Sequence, residues 1–234
     1  MKRALVFQHM DTDDLGRFAG LLAADGIETD MVMLHHGHAI PSLAPYDLMV
    51  VLGGAMDVWM EDQYPWLREE KAAIREWVRE RHRPYLGICL GHQLLADALG
   101  GKVGMANEPE LGVYPLIRNE VPHRFAEGLA ESHAVFEWHH CEVQELPQGA
   151  VNLASTAATP IQAMAVGDVA LGLQFHIEFD MRSVDGWAKV PSYIRAIEDN
   201  LGAGAYAGLR AQAETIMPDY DALARRIWAN FKAK

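Results

Sequence analysis

The sequence predicts an α/β fold with a doubly wound, mostly parallel central sheet flanked by helices. Three observations carry that prediction. Short, continuously apolar runs such as Leu48-Met49-Val50-Val51-Leu52 read as strands covered on both faces. Helix-period segments separate these runs through the first half of the chain. The 234 residues, half of them hydrophobic and 22% charged, suffice to bury a core without staples.

In order, Ala4 to Phe7 reads as a buried strand, and Leu15 to Ala24 as a helix with Leu15, Phe18 and Leu22 on one face. Gly26 is a helix stop, and Thr29 to Leu34 is a second strand. The run Leu48 to Leu52 ends in Gly53-Gly54. Trp66 to Arg81 carries Leu67, Ile74, Trp77 and Val78 at helical spacing, and Tyr85 to Ile88 is a further strand. Leu90 to Leu99 is helical and stops at Gly100-Gly101. The second half is more β-like, with candidate strands at Val113 to Ile117, Ala134 to Phe136, Val151 to Ala154, Ile161 to Val166 and Val169 to Phe175. Gly167-Asp168 joins two of these runs as a hairpin. From Ser183 the pattern is helical, with Pro191 and Pro218 as helix starts. No repeat, low-complexity segment or linker composition interrupts the chain, so one domain over 1–234 is expected, with 183–234 as a helical extension. The alternation is flavodoxin-like, with added hairpin elements.

Charge and cysteine content exclude several classes. Twenty Lys+Arg against 32 Asp+Glu leave a formal charge of −12, which repels phosphate backbones and argues against nucleic acid. Two cysteines cannot make a disulfide framework and point to a reducing compartment. Met1-Lys2-Arg3 resembles a signal n-region, but the apolar stretch after it ends at Phe7. No apolar run is long enough to span a bilayer. The expectation is a cytoplasmic protein without a membrane partner.

The stretch Gly87-Ile88-Cys89-Leu90-Gly91-His92-Gln93 places a cysteine between an apolar strand and a helix, with a glycine two residues to each side. That is the layout of a nucleophile elbow, where glycines permit a sharp turn that lifts the side chain off the sheet. The helix start supplies free N–H groups and a positive dipole end, which favour an anionic sulfur. A thiolate nucleophile needs a base, and the base needs an orienting group. His176-Ile177-Glu178 closes the run Leu171 to Phe175, and residues two apart on an extended chain project to the same side.

Together, Gly87-Ile88-Cys89-Leu90-Gly91-His92-Gln93 and Gly172-Leu173-Gln174-Phe175-His176-Ile177-Glu178 resemble the signatures of class I (triad-type) glutamine amidotransferases, in the stand-alone form of the GMP synthase glutaminase domain. Gly53-Gly54 resembles the family's oxyanion loop. The resemblance implies Cys89 as nucleophile, His176 as general base and acid, and Glu178 as its orienting partner. It implies an oxyanion hole from the N–H groups of Gly54 or Ala55 and of Leu90, with Gln93 holding the substrate glutamine. Ile177 and Ala55 stand where the family usually has proline, and neither position supplies a catalytic side chain. The residues after Glu178 are too few for a following ATP-binding or synthetase domain.

Further candidates have plainer readings beside the chemical ones. His38 follows His35-His36-Gly37 in a segment that reads as a solvated loop rather than a metal site. Trp138-His139-His140-Cys141 resembles the family's sheet-edge segment beside the glutamine site. It reads as pocket wall through His140 rather than as a zinc site, because the sequence shows no partner cluster. Glu110-Leu111-Gly112 is assigned to the substrate's amino end, a carboxylate being suited to an ammonium, with both Glu110 and Gly112 in contact. Trp59 and Trp66 read as core and lid packing. No dinucleotide fingerprint or P-loop is present, and neither metal nor cofactor is expected.

The implied reaction is hydrolysis of the side-chain amide of glutamine to glutamate and ammonia through a cysteine thioester. A hydrolase of γ-glutamyl amines or peptides stays open as an alternative, as does a non-catalytic regulatory subunit of the same fold. The partners expected are glutamine or another γ-glutamyl substrate and a separate synthetase subunit that takes up the ammonia.

Overall fold

The computed structural model describes residues 1–233. Nine strands, β1 (Arg3–Gln8), β2 (Glu28–Met33), β3 (Leu48–Val51), β4 (Tyr85–Ile88), β5 (Lys102–Arg118), β6 (Ser132–Glu145), β7 (Ala150–Ser155), β8 (Ala163–Val166) and β9 (Ala170–Leu173), form one sheet. Its order is β2-β1-β3-β4-β9-β8-β7-β5-β6. The first five are parallel to one another, in an order of flavodoxin type with β9 as the fifth strand. The remaining strands are antiparallel, so the sheet is mixed to a greater degree than the expected mostly parallel one.

Helices α1 (Arg17–Ala24), α4 (Met181–Trp187), α5 (Pro191–Leu201) and α6 (Tyr206–Lys232) supply one layer. Helices α2 (Trp66–Arg75) and α3 (Leu90–Ala98) supply the other. The parallel strands feed both layers by alternation: Ala4 and Val6 pack with Phe18 and Leu22, whereas Leu5 and Phe7 pack with Ile74 and Leu94. Burying each of these side chains other than Ala4 contributes about 1.5–3 kcal/mol before chain entropy is counted.

Three expectations change. The run 113–117 is the C-terminal part of one long strand, β5, and 134–136 lies near the start of another, β6; Pro109, Gly112 and Pro115 do not break β5. Pro109 falls in the register shift between Met105 and Glu110, the kind of irregularity that tolerates proline. Pro218 is inside α6 rather than at its start. It lies on the exposed side, while Ile216, Tyr220, Leu223 and Ile227 keep the buried stripe in period across it. The helix from Trp66 ends at Arg75 and continues as a wider π turn to Glu80. Pro191 does open α5, at the first-turn position where its missing N–H costs nothing. The hairpin at Gly167-Asp168 joins β8 to β9. Among the described residues no helix is long and apolar enough to cross a membrane.

Candidate active site

The carboxyl ends of β1, β3, β4 and β9 converge on one cavity of about 250 Å³. Open α/β sheets place ligand sites at this end of their parallel strands. Cys89 follows β4 directly, with φ 52° and ψ −105°, a backbone conformation that non-glycine residues rarely hold. The turn is pinned on both sides. Cys89 N–H donates to Leu173 O at 2.8 Å, and Cys89 O accepts from the N–H groups of His92 and Gln93 at 3.0 and 3.2 Å. A methyl group at Gly91 would lie 2.1 Å from Val51 O, and one at Gly87 would lie 2.5 Å from Gly91 O. Only glycine fits at either position. Leu90 opens α3, so its N–H is one of the first-turn donors without an intrahelical acceptor.

His176 and Glu178 lie just beyond β9. His176 Nδ1 donates to Glu178 Oε1 at 2.7 Å, and the backbone is held by His176 N–H on Phe136 O at 2.9 Å. Trp187 meets the imidazole edge-on, with ring centroids 5.9 Å apart. Burial by itself lowers the His176 pKa. The charges of Glu178 and Cys89, with hydrogen bonds to both, outweigh it and hold the ring well above its ordinary value. Gly53 passes beside the pair, since a methyl group there would lie 3.2 Å from His176 Cε1 and 3.7 Å from Cys89 Cβ.

Gly53 is anchored by a buried histidine just after β1. His9 Nδ1 donates to Gly53 O at 2.8 Å, and His9 Nε2 donates to Glu70 Oε1 at 2.9 Å. Both ring nitrogens face oxygen atoms, an arrangement that favours the charged ring. Burial opposes that charge, but Glu70 prevails and raises the pKa. Trp66 stacks on the ring at 5.5 Å. The Gly53 carbonyl and the Gly54 N–H share one planar trans peptide and point in opposite directions. Fixing the carbonyl on His9 therefore aims the Gly54 N–H away from His9. Gly54 and Ala55 both line the cavity with Cys89 and His176.

Other expected site residues lie elsewhere. Gln93 is buried outside the cavity lining and donates to Cys141 O and Gln174 Oε1, both at 3.0 Å, which ties α3 to β6. Glu110 is only 2% exposed and accepts from Thr156 Oγ1 at 2.9 Å and Gln162 Nε2 at 2.7 Å. Gly112, with φ 138°, lies against Gln212 and Leu209 of α6. Neither is among the residues that line the cavity. Trp59 is 47% exposed and packs no core.

His140 does line the cavity, and its Nε2 donates to Asp57 Oδ1 at 2.8 Å. Cys141 is buried, and burial together with the Asp57 charge pushes its thiol up. His35 and His36 each donate through Nε2 to the exposed Asp11, at 2.9 and 2.8 Å.

The sequence reading missed Asp13, Trp187 and Tyr193, which line the cavity, as does Trp138 from the segment read as pocket wall. Asp13 had a readable signal, an acidic run immediately after a parallel strand. Burial raises its carboxyl pKa, with His176 opposing and Glu178 adding to the shift. Trp187 and Tyr193 come from α4 and α5, and Trp138 stands between them at 5.1 and 5.3 Å.

Residues 21–186 match the family described as glutamine amidotransferase class-I. A glutamine-hydrolysing GMP synthase subunit of Sulfurisphaera tokodaii is 34% identical over 173 residues, covering 74% of this chain and 84% of that protein. The glutamine amidotransferase-like protein YfeJ of Salmonella typhimurium is 26% identical over 226 residues, covering 94% of this chain and 92% of its own. The crystal structure of a glutamine amidotransferase from Thermotoga maritima superposes with a TM-score of 0.88 at 29% identity, covering 99% of each chain.

Proposed function

Because the chain belongs to the class-I glutamine amidotransferase family, we propose that it hydrolyses the side-chain amide of glutamine or of another γ-glutamyl compound through a thioester on Cys89. The observation that carries this reading is the strained Cys89 at the start of α3, sharing one cavity with the His176–Glu178 pair. His176 holds the proton of the Cys89 thiol, and the sulfur attacks the side-chain carbonyl. The oxyanion of the tetrahedral species lies against the N–H groups of Gly54 or Ala55 and of Leu90. The C–N bond breaks as His176 gives its proton to the leaving ammonia or amine. Water, deprotonated by the same ring, then cleaves the thioester to glutamate and restores the thiol. Glu178 keeps Nε2 of His176 toward the sulfur and stabilises the charged ring. Every step uses side chains and backbone of this chain, and none calls for a metal or an organic cofactor.

The relative that belongs to a GMP synthase supports delivery of the ammonia to a separate synthetase subunit. A second reading, a hydrolase of γ-glutamyl amines or peptides acting by itself, is favoured by one feature. Trp187, Tyr193 and Ala196 wall the cavity from residues beyond the family match, which ends at 186. Glutamate release from glutamine, γ-glutamyl amines and γ-glutamyl peptides by the purified protein tests both. Turnover of any of them, abolished in Cys89→Ala, is the expected result. A folded protein inert toward all three classes overturns it.

A further inference from the structure

At the rim of the cavity, beside the catalytic groups but separate from them, three different donors converge. Asp57 Oδ1 lies 2.8 Å from His140 Nε2 and 3.2 Å from Cys141 Sγ, and one donor atom from each residue falls within 4.8 Å of the others. Asp57 belongs to the loop that follows Gly54, whereas His140 and Cys141 are on β6. The Met105 thioether is 3.8 Å from the Cys141 sulfur. We infer that Asp57, His140 and Cys141 form a site for a borderline transition-metal ion of the zinc class, which staples the Gly54 loop to β6.

Carboxylate, imidazole and thiolate are the ligand types that zinc takes, at about 2.0–2.3 Å. A tetrahedral ion at those lengths separates its ligand atoms by about 3.3–3.6 Å. Asp57 Oδ1 and Cys141 Sγ, 3.2 Å apart, are a few tenths of an ångström short of that spacing, and Asp57 Oδ1 and His140 Nε2, 2.8 Å apart, are short by about half an ångström, so the side chains must open to admit the ion. Without metal, the single oxygen Asp57 Oδ1 accepts both the imidazole and the thiol protons. On binding, the ion replaces both contacts. Cys141 gives its proton to solvent, the His140 proton moves from Nε2 to Nδ1 by exchange with solvent so that Nε2 offers its lone pair, and Asp57 remains a carboxylate. His140 lines the open cavity, which gives the ion its entry path and leaves room for a water as fourth ligand.

Co²⁺ is the probe, because a bound thiolate gives it a charge-transfer band in the near ultraviolet and a tetrahedral site gives it intense visible bands. The rival location for a soft ion is the Cys89–His176 pair, so the titration compares three proteins. Wild type and Cys89→Ala are expected to show the thiolate band at one equivalent of Co²⁺, and Cys141→Ser to lose it. Excess Zn²⁺ should bleach the band and raise the melting temperature of the first two proteins only. Should Cys141→Ser fold poorly, Asp57→Asn keeps both other donors and is expected to bind Co²⁺ at least tenfold more weakly. A band retained in Cys141→Ser, a band lost in Cys89→Ala, or unchanged affinity in Asp57→Asn would overturn the assignment. None of these readouts depends on hydrolysis, so a failure of the amidase reading remains distinguishable.

Discussion

His176 moves a proton in both halves of the proposed reaction, while Glu178 only orients and charges the ring. His176→Ala should therefore approach the loss in Cys89→Ala, several orders of magnitude in kcat, and Glu178→Gln should retain more activity with KM little changed. Steady-state kinetics of the three variants check this, and a greater loss in Glu178→Gln than in His176→Ala would mean the triad is wrongly drawn. His9 acts one step further out, through the Gly53 peptide it anchors. His9→Gln keeps a donor but loses the imidazole that joins Gly53 O to Glu70, so kcat should fall about tenfold with KM nearly constant. A change confined to KM would instead place His9 in ground-state binding. The triad candidates were legible because glycines flank Cys89 and because His176 and Glu178 are neighbours in sequence. The partners of His140 and Gly53, Asp57 and His9, were not legible. Each meets its partner only through the sheet, across 83 and 44 residues.

The parallel strands were readable from their apolar runs, because a strand covered on both faces leaves no polar position to confuse the pattern. The antiparallel ribbon of β5 and β6 was not, since its half-exposed edge tolerates the proline and glycine that usually end strands. Glu110 and Gly112 lie within β5, ahead of the run 113–117 that the sequence marks as a strand. The crossing of β3 and α3 is the tightest contact at the elbow. Gly91→Ala puts a methyl group 2.1 Å from Val51 O and should cost about 3 kcal/mol or more in denaturant unfolding. On the other wall, Tyr193 of α5 donates its hydroxyl to Met10 Sδ at 3.0 Å and stands against Trp138. Tyr193→Ala should raise KM for γ-glutamyl amines about tenfold while leaving kcat within a fewfold. An equal effect on kcat would assign α5 to the chemistry rather than to enclosure.

Across the whole molecule, buried ionisable groups set how stability follows pH. Burial pushes His92 down to about 4, so the unfolded chain takes up this proton first and the folded state loses stability as pH falls from about 6.5 toward 4. Alone this amounts to about 3 kcal/mol. Burial and the Glu110 charge hold Glu137 well above the usual carboxylate range, so it costs stability as pH rises above about 4.5. The two oppose one another between about 4.5 and 6.5, where stability should vary little. His9 and His176 are raised, so their contributions are complete below about 6.5 and are lost as pH climbs through their folded values. The urea midpoint should thus be level from about pH 5 to 6.5 and decline toward pH 9. A midpoint that climbs over the alkaline half would contradict these assignments.

The positive φ at Cys89 also bears on how this position tolerates replacement over time. A β-carbon in that conformation costs about 1–2 kcal/mol that glycine escapes, and only the sulfur gives a reason to keep it. Cys89→Gly should accordingly unfold at a higher denaturant concentration than Cys89→Ala, although both lack the nucleophile. Under the proposed reaction, selection for the thiol and selection for a durable fold pull in opposite directions at one residue. A descendant that no longer needed the thiol would drift there toward glycine, which makes the identity of this residue a record of whether the chemistry is still in use.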